Sequence, residues 1–135
     1  MSVKQLTAAE LMTAPALTVE SSQPLSAAAR LMLERGIHCL LVLGAPGRAP
    51  GIITSKDIVL VLCDGEPELL DQLAVADAMT TPAISVQHDS VIADCIRMMR
   101  MSGVRSVPVM KGLEPVGILS FTDVLRAALL RPDAQ

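Results

Sequence analysis

The chain states one pattern twice. Met12-Thr13, Pro15-Ala16, Val19, Arg30, Met32, Gly36 and Val42 recur at a constant offset as Met79-Thr80, Pro82-Ala83, Val86, Arg97, Met99, Gly103 and Val109. After one residue is dropped from a loop, Gly51, Ile52 and Asp57 recur as Gly117, Ile118 and Asp123. A one-residue change falling in a turn is what a duplication tolerates, because loops absorb changes in length. Nothing else in the sequence constrains the fold as strongly, since each element built by one copy must also be built by the other.

Both copies end on the same phrase. Gly51-Ile52-Ile53-Thr54-Ser55-Lys56-Asp57 and Gly117-Ile118-Leu119-Ser120-Phe121-Thr122-Asp123 each open on glycine, run through an apolar pair to a hydroxyl residue, and place aspartate three positions later. This is a strand entering a helix, with the hydroxyl and carboxylate within one turn of each other beside the unpaired N–H groups of a helix start.

The remaining elements follow from local signals. Thr7-Ala8-Ala9-Glu10 reads as a capping box opening a short helix, with its counterpart at Val75 to Met79. Leu17-Thr18-Val19 reads as a brief strand, Ser22 as the N-cap of a helix with Pro24 in its first turn, and Gly36 as its stop. In the second copy Asp89 takes the cap and Gly103 the stop, while Val91, Ile92, Cys95, Ile96 and Met99 fall at helical spacing on one apolar face. Cys39 to Leu43 and Ser106 to Met110 are short apolar runs, hence strands, and each leads through a Gly/Pro-rich loop to the glycine-led strand, so hairpins are expected. The last helices run from Ser55 to Leu62 and from Phe121 to Leu130, the latter stopped by Pro132. Asp64-Gly65-Glu66-Pro67 and the following Glu68 to Leu73 form an acidic linker.

A unit of roughly sixty residues is too small to bury both faces of a sheet alone. The expected architecture is therefore mixed α/β (α+β): two βαββα repeats packed about a pseudo-twofold axis, with two clefts between the repeats. Residues 1–135 make a single module, with a first repeat at 7–63, a linker at 64–74 and a second repeat at 75–131.

Composition narrows the function. The apolar fraction is 51%, but no run approaches the roughly 18 residues of a membrane span, and no basic stretch with an apolar core opens the chain, so a cytoplasmic protein with no membrane partner is expected. A net charge of -3 from interspersed charges, with 1% aromatic residues, leaves neither an electrostatic footprint nor stacking platforms for nucleic acid. Cys39, Cys63 and Cys95 are odd in number and irregular in spacing, which argues for buried thiols over a disulfide framework or a zinc site. With Phe121 the single aromatic, a bound purine would lie against aliphatic walls.

Met-Thr-x-Pro before the first strand, glycine after the helix and Gly-x-x-[Thr/Ser]-x-x-Asp at the last helix resemble the cystathionine β-synthase (CBS) domain. The tandem is similar to a complete CBS pair, or Bateman module, from about Leu11 to about Leu130. The resemblance implies a regulatory module, not an enzyme. It implies no required cofactor, and binding of AMP, ADP, ATP or S-adenosylmethionine in the inter-repeat clefts, commonly within a homodimer. By that resemblance Asp57 and Asp123 accept hydrogen bonds from ribose hydroxyls, Thr54 and Ser120 lie near ribose and phosphate, and Lys56 and Thr122 precede each aspartate. His38 and Arg105 stand where relatives place a base facing phosphates. Two departures matter. Leu41 stands where the second copy has Pro108, and Cys39 and Ser106 occupy an often basic position, which favours a monophosphate or S-adenosylmethionine over a triphosphate.

Each of these residues also has a plainer reading. Asp57 and Asp123 cap helices, His38 sits at a strand edge, Lys56 is solvated, and Thr122 is a helix-start hydroxyl. Arg30 and Arg97 read as solvated on an exposed helix face. His38 beside Cys39 has no supporting constellation for metal or nucleophilic chemistry, and no residue pairs a base with an orienting partner. The apolar stretches Val59 to Leu62 and Leu125 to Leu130 point to a homodimer. The expected function is ligand sensing relayed to a downstream protein, the alternative being a structural dimerisation module with empty clefts.

Overall fold

The duplication appears as two equivalent sheets. In this computed structural model, which describes residues 2–44 and 48–132, the elements in chain order are α1 (Ala8–Leu11), β1 (Thr18–Glu20), α2 (Leu25–Arg35), β2 (Cys39–Leu43), β3 (Gly51–Thr54), α3 (Ser55–Val61), α4 (Leu69–Gln72), β4 (Val86–Gln87), α5 (Ile92–Ser102), β5 (Ser106–Lys111), β6 (Glu114–Ser120) and α6 (Phe121–Leu130). Single 3-10 turns lie at Val3–Gln5 and Val75–Asp77. The middle of the first Gly/Pro-rich loop, residues 45–47, lies outside the described residues.

One unit comprises Leu17–Ala83. Its sheet has the order β1-β2-β3, with β1 parallel to β2 and β2 antiparallel to β3, so that Cys39 faces Thr54 and Leu41 faces both Thr18 and Ile52. The parallel step needs a crossover, which α2 supplies. Leu25, Ala28 and Met32 bury one face of that helix with Val19, Leu40, Val42, Ile53, Ile58 and Val75. Each fully buried aliphatic side chain contributes about 1.5–3 kcal/mol.

The other unit comprises the described residues up to Ala16 and those from Ile84 onward. Its sheet repeats the arrangement as β4-β5-β6. The core joins Leu6, Ala8 and Leu11 of the N-terminal segment to Ile92, Cys95 and Met99 of α5 and to Val107, Val109 and Leu119 of the sheet. Packing units and chain repeats thus do not coincide. The segment before Ala16 packs with the second copy's sheet, and residues 74–83 pack with the first copy's.

Two helix starts differ from the expected ones. α2 begins at Leu25 with Pro24 extended before it, and α5 begins at Ile92 with Val91 extended before it, in place of caps at Ser22 and Asp89. Extended pairing takes these backbones first: Leu25 N–H donates to Leu73 O at 2.9 Å and Val75 N–H to Gln23 O at 2.8 Å, while Ile92 N–H donates to Leu6 O at 2.8 Å and Ala8 N–H to Ser90 O at 2.9 Å. The helix stops are as read, with Gly36 at φ 62° and Gly103 at φ 69°. This left-handed conformation costs glycine nothing and ends the helix.

The Leu41/Pro108 difference also has a structural result. Leu41 N–H donates to Leu17 O at 3.0 Å, lengthening the β1–β2 pairing. Pro108 has no N–H to donate, and β4 is correspondingly one residue shorter than β1.

Cys39 and Cys95 are buried as expected, but Cys63 is exposed, because α3 ends at Val61 and the turn after it faces solvent. Burial, with Asp94 adding to it, pushes the Cys95 thiol above its ordinary pKa. Among the described residues no helix is long and apolar enough to cross a membrane.

Candidate functional site

The repeated phrase folds the same way twice. Thr54 is extended at φ -117° and ψ 162°, closing β3, and α3 starts at the next residue. Its Oγ1 accepts from Asp57 N–H at 3.2 Å while the Asp57 carboxylate accepts from Thr54 N–H at 2.8 Å, which is a reciprocal capping box. Ser120 and Asp123 repeat it at 3.3 Å and 2.8 Å before α6. A strand can turn into a helix with no loop because these side chains satisfy the N–H groups the turn exposes.

The preceding strands deliver the other residues. Ser55 N–H donates to His38 O at 2.8 Å, and Phe121 N–H donates to Arg105 O at 3.1 Å. His38 and Arg105 therefore meet the helix starts through their backbones, at equivalent positions in the two units. Both side chains are exposed, as are Lys56 and Thr122, and among the described residues none of the four enters a side-chain hydrogen bond or ion pair. The first-copy junction thus gathers His38, Thr54, Lys56 and Asp57, and the second gathers Arg105, Ser120, Thr122 and Asp123.

The glycines of the phrase answer to packing. A Cβ on Gly117 would lie 2.8 Å from Thr13 O and 2.6 Å from Met12 Sδ, and one on Gly51 would lie 3.0 Å from Thr80 O. The Met-Thr segments cross these glycines and pair there, Thr13 with Ile118 and Thr80 with Ile52. The two most recognisable motifs of each unit are therefore in contact, which their separation along the chain does not announce.

The two aspartates differ in surroundings. Asp57 is partly exposed. Asp123 is 5% exposed and receives two further donors, Thr13 Oγ1 at 2.9 Å and Arg126 Nη1 at 3.3 Å. Reading along the chain missed Thr13 and Arg126. The available signals were the threonine recurring in both Met-Thr pairs and a basic residue three positions after Asp123, where the first copy has Leu60.

Chemically, each junction holds a hydroxyl, a carboxylate and an exposed basic side chain, with the carboxylate partly exposed at Asp57 and buried at Asp123. That set suits a polyol carrying an anionic group. Among the described residues no group of three or more His, Cys, Asp or Glu side chains is placed to hold a metal ion.

Comparison with known proteins agrees with this architecture. The CBS domain family model matches the chain twice, at residues 8–64 and 75–130. The protein MJ1404 of Methanocaldococcus jannaschii is 27% identical over 135 residues, covering 92% of this chain and 32% of its own length, so the chain spans about a third of that relative. A conserved protein from Pyrococcus horikoshii superposes with a TM-score of 0.85 at 26% identity, covering 95% of this chain and 96% of that one. The CBS domain pair of protein MJ0100, solved in complex with 5'-methylthioadenosine and S-adenosyl-L-methionine, shares the fold with a TM-score of 0.79 at 24% identity, covering 90% and 94%. With two matched domains spanning most of its length, this chain belongs to the CBS domain family, as a tandem pair.

Proposed function

We propose that this CBS pair is a regulatory module that binds an adenosine-containing ligand and conveys its occupancy to a partner protein. The observation that carries this reading is the first-copy junction, where His38 and Lys56 bring exposed basic side chains to the same helix start as Thr54 and the partly exposed Asp57. A ribose diol supplies two donors, which an ionised carboxylate accepts, and the basic groups suit a phosphate or sulfonium-borne carboxylate. The ligand class is AMP, ADP, ATP or S-adenosylmethionine, with the monophosphate and S-adenosylmethionine favoured because Cys39 and Ser106 add no charge beside the junctions. The MJ0100 pair, similar in fold, holds ligands of this class in its own structure. The proposed role is regulation, exerted through unequal affinity of the ligand for two arrangements of the protein.

Calorimetric titration of the purified protein with AMP, ADP, ATP and S-adenosylmethionine tests the reading. Saturable heat is expected from at least one of them, and heat from none sinks it. A second reading, a structural dimerisation module, is favoured by the exposure of Leu125, Leu129 and Leu130 on α6 and of Val59 and Leu60 on α3. Apolar surface of that extent seeks a partner, and we propose a second copy of this chain. Dimers whose melting temperature ignores every ligand would favour the structural role over sensing.

A further inference from the structure

Asp57 and Asp123 hold the same place in the two copies, yet the chain itself treats them differently. Asp123 Oδ2 accepts from Ser120 N–H at 2.8 Å and from Ser120 Oγ at 3.0 Å. Asp123 Oδ1 accepts from Thr13 Oγ1 at 2.9 Å and from Arg126 Nη1 at 3.3 Å. An ionised carboxylate has about four lone-pair sites, so these four donors fill it, and its side chain is 4% exposed. Asp57 Oδ2 accepts from Thr54 N–H at 2.8 Å, and among the described residues no other donor reaches this carboxylate.

The difference has two sources in the sequence. Leu60 stands three residues after Asp57 where Arg126 stands after Asp123, so α3 carries no guanidinium at the position that reaches the aspartate from α6. Thr80 is the counterpart of Thr13, but among the described residues its hydroxyl makes no bond to Asp57. Thr13 is held for its task by paired backbone bonds to Ile118 at 2.9 and 3.0 Å. The Arg126 side chain is 60% exposed, so its contribution is screened by water and Thr13 is the firmer partner.

We propose that the two junctions are unequal: Asp57 is the ligand-facing carboxylate, while Asp123 is already occupied by the chain's own donors and serves the fold. Thr13 and Arg126 place two donors on a single oxygen of Asp123, where a ribose diol would have to place its own. An incoming sugar would need to displace a preorganised intramolecular pair on a buried group, whereas at Asp57 it meets an open oxygen. The Asp57 half of this inference rests on the binding function proposed above. The Asp123 half does not.

The test uses the full chain with Asp57→Asn, Asp123→Asn, Thr13→Val and Thr13→Ser, measured by thermal unfolding without ligand and by calorimetry with AMP and S-adenosylmethionine. Asp123→Asn and Thr13→Val should each lower Tm by roughly 5 °C or more, scaled from a domain of this size. Thr13→Ser should restore most of that loss, and Asp57→Asn should leave Tm within about 2 °C. Wild type should bind one ligand per chain, at least about tenfold more weakly after Asp57→Asn and unchanged after Thr13→Val. Two equivalent binding events per chain, or a Tm indifferent to both Asp123→Asn and Thr13→Val, would overturn the inference. If wild type binds neither ligand, the sensing function fails for them, and the melting comparison still decides what Asp123 does.

Discussion

Gly117→Ala is the substitution whose consequence is most directly computable. The new Cβ would sit 2.6 Å from Met12 Sδ, 2.8 Å from Thr13 O and 3.0 Å from Met12 Cγ. The sulfur belongs to a flexible side chain and can swing away, but the carbonyl is backbone and is itself bonded to Ile118 N–H at 3.0 Å. Overpacking of this kind costs about 1–3 kcal/mol. Loosening one or both Thr13–Ile118 backbone bonds adds about 0.5–1.5 kcal/mol each. Removing glycine's freedom in the unfolded chain returns about 0.4–1 kcal/mol, and the mid-range values leave a net loss of about 2–3 kcal/mol. Gly51→Ala supplies the internal control. Its closest contacts are 3.0 Å to Thr80 O and 3.3 Å to Met79 Sδ, so a shift of a few tenths of an ångström suffices and about 1 kcal/mol is expected. Equilibrium urea denaturation of wild type and both variants gives the comparison at constant m. Met12→Ala in the Gly117→Ala background should recover part of the loss, as residues in contact couple. A neutral Gly117→Ala, or a Gly51→Ala costing more, would refute the argument that the crossing Met-Thr segment dictates these glycines.

Other outcomes follow from the same structure. Ser120→Ala removes a cap and a donor to Asp123, whereas Thr54→Ala removes only a cap, so losses of about 2 and about 1 kcal/mol are expected by denaturation, and the reverse order would contradict the assigned bonds. Cys63 should react with a thiol reagent at once in the native protein while Cys95 waits for unfolding. Because the folded Cys95 pKa is raised, the folded state holds its proton longer, so that contribution to stability is complete below the unfolded thiol's pKa of about 8.5 and is lost as pH rises beyond it. Cys95→Ala should flatten that alkaline slope in melting experiments. Leu125→Glu with Leu129→Glu, at positions 62% and 71% exposed, should leave the circular dichroism unchanged and halve the sedimenting mass if α6 joins two copies. An unchanged mass would remove α6 from the interface.

The elements and the family were legible along the chain because their causes are local. Thr54 with Asp57 and Ser120 with Asp123 write a cap within four residues, Gly36 and Gly103 supply a left-handed stop, and the repeat doubles every signal. The CBS resemblance read from those phrases agrees with the two matched domains. Helix starts were less legible. Ser22 and Asp89 have the chemistry of caps, but tertiary backbone pairing through Gln23, Leu25, Ser90 and Ile92 outbids it.

What the sequence by itself determined is the order of the elements and the hydroxyl and aspartate at each strand-to-helix junction, Thr54 with Asp57 and Ser120 with Asp123, since neighbours along the chain build these. Only the tertiary structure decided which sheet receives each Met-Thr segment. In a duplicated chain, local pattern specifies an edge to be paired and leaves open which copy pairs with it. That choice sets Thr13 beside Asp123, 110 residues away, and so makes one of two matching aspartates a buried, saturated part of the fold while the other keeps an oxygen to offer.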